Sequence, residues 1–252
     1  MGTALITGAS AGLGEEFAWQ LATVRHNLVL VARNQPRLEA LAAKLRSAAG
    51  IQVEVLPADL SADDDVARVA ARLAQAKQPV GLLVNNAGFG TREQFLESDL
   101  AVCQAELDVM VRAVMTLSHA AGQAMVRRGR GAILNVSSVA AYTTSGTYSA
   151  AKAWVKTFSE SLAAELKDSG VTVTALLPGL TRTEFHARAA LDYQGFPAVA
   201  WLTAADVVAR GLADVRRGVV LSTPSLRYGV LGQIARVMPR WVIRAVSVRE
   251  NR

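Results

Sequence analysis

Cysteine is almost missing from this chain: Cys103 stands alone among 252 residues, so no intrachain disulfide can form and a reducing compartment is permitted. Its expected role is core filler. Long apolar runs are missing too, since none approaches the roughly 18 residues that a membrane-spanning helix needs. The first strand pattern begins by Thr3, which leaves no room for a cleavable leader, and the expected location is cytoplasmic. No tract rich in proline, glycine and serine divides the sequence. Residues 1–252, 51% hydrophobic, are therefore read as one domain around one core. Metal-ligand clusters are also lacking. The acidic triplet Asp63-Asp64-Asp65 has a simpler use as negative charge on the first turn of a helix, and no metal is expected.

Acidic side chains are scarce in one place. Residues 1–212 hold 19 basic and 19 acidic side chains, whereas residues 213–252 hold eight arginines against Asp214 and Glu250, so the net charge of +6 belongs to the tail. Those arginines are dispersed among Ile234, Val237, Met238, Trp241 and Ile243 instead of forming a basic arm, which argues against a nucleic-acid partner. At helical spacing Ile234, Val237, Met238, Trp241 and Ala245 share one face and Arg236, Arg240 and Arg244 another, with Pro239 able to break the run or begin a second helix. The extension 223–252 is thus basic and amphipathic. It suits a weak contact with an anionic membrane surface, a cover over a cleft, or a subunit contact.

Short apolar runs recur at Leu28–Val31, Val53–Leu56, Val80–Val84, Ala132–Val136, Val171–Leu177 and Val219–Leu221, separated by helix-length amphipathic segments. This βαβ rhythm predicts an α/β fold: one doubly wound, Rossmann-type parallel sheet with helices on both faces. Ser61 before the acidic triplet, and Thr203-Ala-Ala-Asp206 as a capping box with Asp in place of Glu, mark helix starts.

Two motifs carry chemistry. Thr7-Gly8-Ala9-Ser10-Ala11-Gly12-Leu13-Gly14 follows the apolar Ala4-Leu5-Ile6 and opens into a helical pattern through Phe17, Leu21 and Val24. Strand, glycine turn and helix in that order let backbone N–H groups approach a pyrophosphate at a helix N-terminus. Tyr148 and Lys152 stand at i and i+4, on one helical face. A tyrosine working near neutrality needs its phenolate favoured by about 3 to 4 kcal/mol, and a lysine one turn away can supply much of that.

With Asn85-Asn86-Ala87-Gly88, Ser138, Tyr148 and Lys152 in sequence after the glycine turn, the chain resembles a classical short-chain dehydrogenase/reductase from about residue 2 to residue 222. The resemblance implies an oxidoreductase that interconverts a carbonyl and a secondary alcohol, working as a homodimer or homotetramer. Ser138 would polarise the carbonyl, Tyr148 would give the alcohol its proton, and Lys152 would bond the nicotinamide ribose while lowering the tyrosine pKa. Ser137 competes with Ser138 for the first role. Nine residues separate Ser138 from Tyr148, fewer than the dozen or so that the resemblance leads one to expect. Gly8, Ser10, Gly12, Leu13 and Gly14 would cradle the cofactor, Asp59 and Leu60 would meet its adenine, and Asn85, Ala87 and Gly88 its adenosine ribose. Pro178-Gly179 would form the nicotinamide-side turn, with Thr181 or Thr183 reaching the carboxamide.

In this family the residue ending the second strand faces the adenosine ribose, and an acid there favours NAD. Here it is Arg33, with no acid adjacent in sequence, so NADP(H) is expected over NAD(H) through charge-assisted bonds to a 2′-phosphate. Segment 179–202, carrying Phe185, Leu191, Tyr193, Phe196, Pro197, Trp201 and Leu202, is expected to cover an apolar substrate or to pack on the sheet. Arg182, His186 and Arg188 leave room for an anionic one. Met110 occupies the position at which the resemblance leads one to expect an asparagine that anchors a water behind the lysine. That departure keeps open an alternative, a non-catalytic NADP(H)-binding sensor or scaffold.

Overall fold

The computed structural model describes residues 2–90, 94–184 and 197–250. Its centre is a seven-stranded sheet whose pairings are all parallel, in the order β3-β2-β1-β4-β5-β6-β9. These strands are β1 (Thr3–Thr7), β2 (Asn27–Ala32), β3 (Val53–Pro57), β4 (Val80–Asn85), β5 (Gly131–Val136), β6 (Val171–Leu176) and β9 (Leu221–Ser222); β7 (Thr181–Arg182) and β8 (Leu202–Thr203) pair separately.

Alternation along the strands builds two cores. Ala4, Ile6, Leu28 and Leu30 face α1 (Gly12–Thr23), α2 (Gln35–Ala49) and α7 (Ala204–Arg216). Leu5, Val29 and Val31 face α3 (Asp63–Ala74), α5 (Ala113–Arg127) and α6 (Gly146–Glu165). Strands buried on both sides read as continuous apolar runs, and for that reason six of the seven were placed by sequence to within a residue or two. The seventh slides from the expected Val219–Leu221 to Leu221–Ser222. Buried Asp214 fixes it there, accepting from Ser222 Oγ at 2.7 Å, while the Val219 carbonyl takes the Thr174 hydroxyl.

The chain runs outward from β1 to β3 and then crosses to β4, so strand order reverses between β1 and β4. The crevice beyond their C-terminal ends is where such sheets bind ligands.

Other boundaries differ from expectation. Ser61 does not cap α3: Ala62 holds that position without a side-chain bond, and the Ser61 hydroxyl donates to Asp59. Thr203 does cap α7, accepting from the Asp206 N–H, but Asp206 takes the Thr203 hydroxyl instead of reaching back to the backbone. Val24 falls just outside α1 and is exposed. Between α4 (Leu100–Leu107) and α5 lies a π turn, Asp108–Arg112, which no spacing of apolar residues announces; such turns are rare and frequent at functional sites.

The tail forms α8 (Leu226–Val237) and α9 (Arg240–Glu250). Pro239 separates them, so the apolar residues of the extension do not share one continuous face. Among the described residues no helix is long and apolar enough to cross a membrane. Cys103 is buried, as expected of filler.

Candidate active site

The ends of β1 and β4 are tied together by polar bonds. Buried Thr7 accepts the N–H groups of Asn86 and Ala87 on its Oγ1, at 2.9 and 3.0 Å, and Asn86 Nδ2 donates to the carbonyls of Thr7 and Gly8. Gly8 has a φ of +65°, and a Cβ on Gly14 would stand 2.1 Å from the Gly8 carbonyl oxygen. Only glycine permits so close a crossing. Ala11, at the N-cap of α1, offers no side-chain bond, so the first-turn N–H groups remain for a ligand. Ser10, Gly12 and Leu13 lie half-buried on the same turn. This cradle fits a dinucleotide pyrophosphate.

Two expected contacts turn inward. Asn85 is buried, donating to Ser118 Oγ and Asn135 Oδ1 at 3.1 and 2.9 Å, so its side chain braces β4 against β5 and α5 and does not face a ribose. Asn86 is the neighbour that serves the crevice, and sequence reading passed over it because both asparagines fit the same motif. Leu60 is likewise buried, in the core beneath α3. Ala87 and Gly88 remain half-buried at the crevice.

Arg33 ends β2 with its side chain 73% exposed, and Asp59 Oδ2 lies 4.0 Å from its guanidinium. The expectation that no acid stands near this arginine therefore holds along the sequence but fails in space. Asp59 is itself engaged, accepting the Ser61 N–H and hydroxyl.

Across the crevice Pro178 anchors the serine loop: Ser138 Oγ donates to its carbonyl at 3.5 Å, and Val139 N–H at 3.0 Å. Thr181 is buried and donates to the Gly179 carbonyl, while Thr183 leans over the glycine turn, its Cβ 3.3 Å from where a Gly12 Cβ would be. Of the two threonines, Thr183 is the one that faces the cradle.

Ser137 and Ser138 are separated by geometry. Ser137 is buried and spends its hydroxyl on the Lys152 carbonyl at 2.7 Å. Ser138 is half-buried at the end of β5 and opens a 3-10 helix, Val139–Tyr142, accepting the Ala140 N–H. Tyr148 lies in the first turn of α6, its ring beside Gly90. Lys152, one turn on and 4% exposed, donates to the Val136 carbonyl at 2.9 Å, with Nζ 5.5 Å from the Tyr148 ring centre. Burial lowers the ammonium pKa from the ordinary 10.5 to about 8, with the Glu106 carboxylate opposing the shift.

The tail closes one side of the site. The Tyr228 ring of α8 lies over Gly179, its hydroxyl donates to the Ala200 carbonyl at 2.8 Å, and it accepts the Leu180 N–H. Gly232 meets the ring of Tyr142. Of the expected cover, Phe185, His186, Arg188, Leu191, Tyr193 and Phe196 lie outside the described residues.

Residues 2–194 match the family model for short chain dehydrogenase. The chain belongs to the short-chain dehydrogenase/reductase family. It is 35% identical over 186 residues to sulfoacetaldehyde reductase 2 of Chromohalobacter salexigens, a match covering 72% of this chain and 73% of that one. Among solved structures it resembles a short-chain dehydrogenase from Sphingobium yanoikuyae in complex with NADPH (TM-score 0.86, 35% identity, 94% of each chain). It also resembles a bulky-bulky ketone specific alcohol dehydrogenase from Comamonas testosteroni (TM-score 0.82, 31% identity, 94% and 92% covered). This dehydrogenase/reductase is accordingly an oxidoreductase that interconverts carbonyl and alcohol with a nicotinamide dinucleotide, and not a non-catalytic sensor.

Proposed function

We propose that this short-chain dehydrogenase/reductase reduces an apolar carbonyl compound with NADPH, or runs the reverse oxidation, using Ser138, Tyr148 and Lys152. The observation that carries the proposal is their common corner. Lys152 reaches the end of β5 through the Val136 carbonyl, Ser138 is the half-buried serine two residues further on, and Tyr148 stands above the lysine on α6. When bound, the nicotinamide supplies or takes up the hydride. The Ser138 hydroxyl donates to the substrate oxygen, Tyr148 delivers the proton that makes the alcohol, and the Lys152 ammonium favours the phenolate that remains. Following NADPH absorbance against ketones and aldehydes of graded size tests the activity. Half-buried Tyr142, on the 3-10 helix that Ser138 opens, supports an apolar substrate, as does likeness to an enzyme specific for bulky-bulky ketones.

Preference for NADP(H) rests on Arg33. Its contact with Asp59 is long and solvent-exposed, hence weak, and a 2′-phosphate competes with it readily. NADPH is expected to bind at least about tenfold tighter than NADH, about 1.4 kcal/mol, and Arg33→Asp to abolish or reverse the difference. Equal affinities of the wild type for both cofactors in calorimetry would remove the assignment.

We infer a cytoplasmic homo-oligomer, one domain per chain, with segment 179–202 as substrate cover. Leu100, Leu107 and Met115 on α4 and α5 form an exposed apolar row suited to a second copy. The inner side of α8 serves the site. Its outer side carries Leu226, Val230, Leu231, Ile234 and Val237, all exposed, followed by exposed Trp241 on α9. Arg236, Arg240 and Arg244, exposed on the same two helices, alternate with the last of them along the chain, which opposes self-pairing and fits weak attachment to an anionic membrane surface. The protein should sediment with anionic vesicles at low salt and be released as salt screens the arginines. A folded sample that stays in solution would leave α8 and α9 the cover role alone.

A further inference from the structure

Lys152 is a buried cation, and its surroundings must hold that charge. Nζ donates to the Val136 carbonyl. Met110 is 1% exposed and cannot help, although its sulfur lies close: a methyl group on Gly88 would be 3.1 Å from Met110 Sδ and 3.5 Å from Lys152 Nζ. A thioether donates nothing and accepts weakly. One turn earlier, on α4, stands Glu106 with no solvent exposure. Its Oε2 accepts from the hydroxyl of Thr147, the residue before the tyrosine, and its Oε1 has no hydrogen-bond partner among the described residues. A half-satisfied buried carboxylate costs stability, so its place opposite the lysine calls for a use. The two charges act on one another: the carboxylate opposes the effect of burial on the ammonium, and the ammonium opposes its effect on the carboxyl. Of the charged groups on α6, which packs against α4, Lys152 is the one that acts on Glu106; Cys103 lies one turn back on α4, and Asp108 pairs with Arg112.

We propose that Glu106 is a positioning residue acting through Lys152: its carboxylate keeps the ammonium charged from beyond direct hydrogen-bond reach and relays protons to it through a water on the unpartnered Oε1, with the half-buried Thr147 hydroxyl as the next station toward solvent. After Tyr148 has given up its proton, Lys152 passes one toward the phenolate. A proton entering past Thr147 is taken up by the Glu106 carboxylate and handed on to Nζ, which leaves the ammonium and the carboxylate as they began. Each transfer moves one proton and no electrons. The inference rests on the carbonyl-reductase reading with Tyr148 as donor.

Glu106→Gln keeps the shape and removes the charge. Reduction should decline as pH rises through the Lys152 titration near 8. Without the carboxylate that titration falls, so the declining limb should move to lower pH by about half a unit or more. Turnover at its optimum should drop about tenfold, with KM and NADPH affinity near wild type. The Lys152 titration, followed by NMR in the cofactor-free protein, should move the same way, and adding Met110→Asn to the Glu106→Gln variant should recover part of the turnover. Loss of turnover with both limb and titration unmoved would mean a merely structural role and overturn the proposal, as would an unchanged enzyme. If Glu106→Gln does not fold, Thr147→Val removes the carboxylate's donor from the other helix; the limb should then move down by less, and an unmoved limb is fatal. An active Tyr148→Phe variant would remove the donor assignment instead, leaving the Lys152 titration to decide on Glu106.

Discussion

Tyr148→Phe should cost this enzyme at least about 10² to 10⁴ in turnover, the usual contribution of general acid catalysis, while fold and NADPH affinity stay near wild type. The substitution keeps the ring beside Gly90 and above Lys152 and deletes one oxygen. Ser138 is no substitute as a proton source: its hydroxyl can exchange a long 3.5 Å contact with the Pro178 carbonyl for one with a substrate oxygen, but an aliphatic hydroxyl does not give up its proton near neutrality. It can orient a carbonyl but has no base behind it. Ser138→Ala run in parallel should therefore slow the reaction without abolishing cofactor binding. The decisive pair of measurements is NADPH consumption with the best ketone of the panel and calorimetric NADPH affinity. Turnover retained in the phenylalanine variant would sink the assignment, and lost affinity would show that the hydroxyl oxygen, which the substitution removes, had also been holding the cofactor site together.

The sheet was legible because strands buried on both faces carry their state in composition alone, and the glycine turn because close backbone crossing leaves little choice but glycine at Gly14. Side-chain direction was not legible in the same way. Asn85 and Asn86 are adjacent and identical, and what separates them is which side of the β4 end each faces. Ser137 and Ser138 pose the same problem, solved in space by the Lys152 carbonyl that claims the first hydroxyl. Asp59 reached Arg33 across two strand ends, a contact between residues 26 apart in sequence. Glu106 carried a readable signal that went unused: a carboxylate one turn before Met110 in a helix facing the catalytic lysine. The π turn and the docking of Tyr228 on Gly179 had no counterpart in spacing or composition, since both depend on how distant elements meet.

Replacing Lys152 by methionine should give a protein that is nearly inactive and more stable. Activity falls because the positive charge that favours the Tyr148 phenolate is gone, and a shift of two units in that tyrosine alone is about 100-fold. Stability rises because burying the ammonium is unfavourable: a fall from the ordinary 10.5 to about 8 corresponds to about 3 kcal/mol of folding free energy. Methionine fills similar space without charge. The gain is reduced by the bond lost at the Val136 carbonyl, about 1 kcal/mol, the attraction of Glu106 being already contained in the lowered pKa, which leaves a net effect of about 2 kcal/mol, or a few degrees in Tm. Its pH dependence identifies the cause. The folded-state pKa of this lysine is depressed, so below about 8 it is charged in both folded and unfolded chains and the full cost is present. Between about 8 and 10.5 the unfolded chain binds more protons than the folded one, and wild-type stability rises relative to the variant. The Tm advantage of Lys152→Met should therefore be largest near neutrality, shrink as pH rises past about 8 and change sign before 10.5, where only the lost bond to Val136 remains. An advantage that stays constant across that range would trace the effect to packing and not to the buried charge.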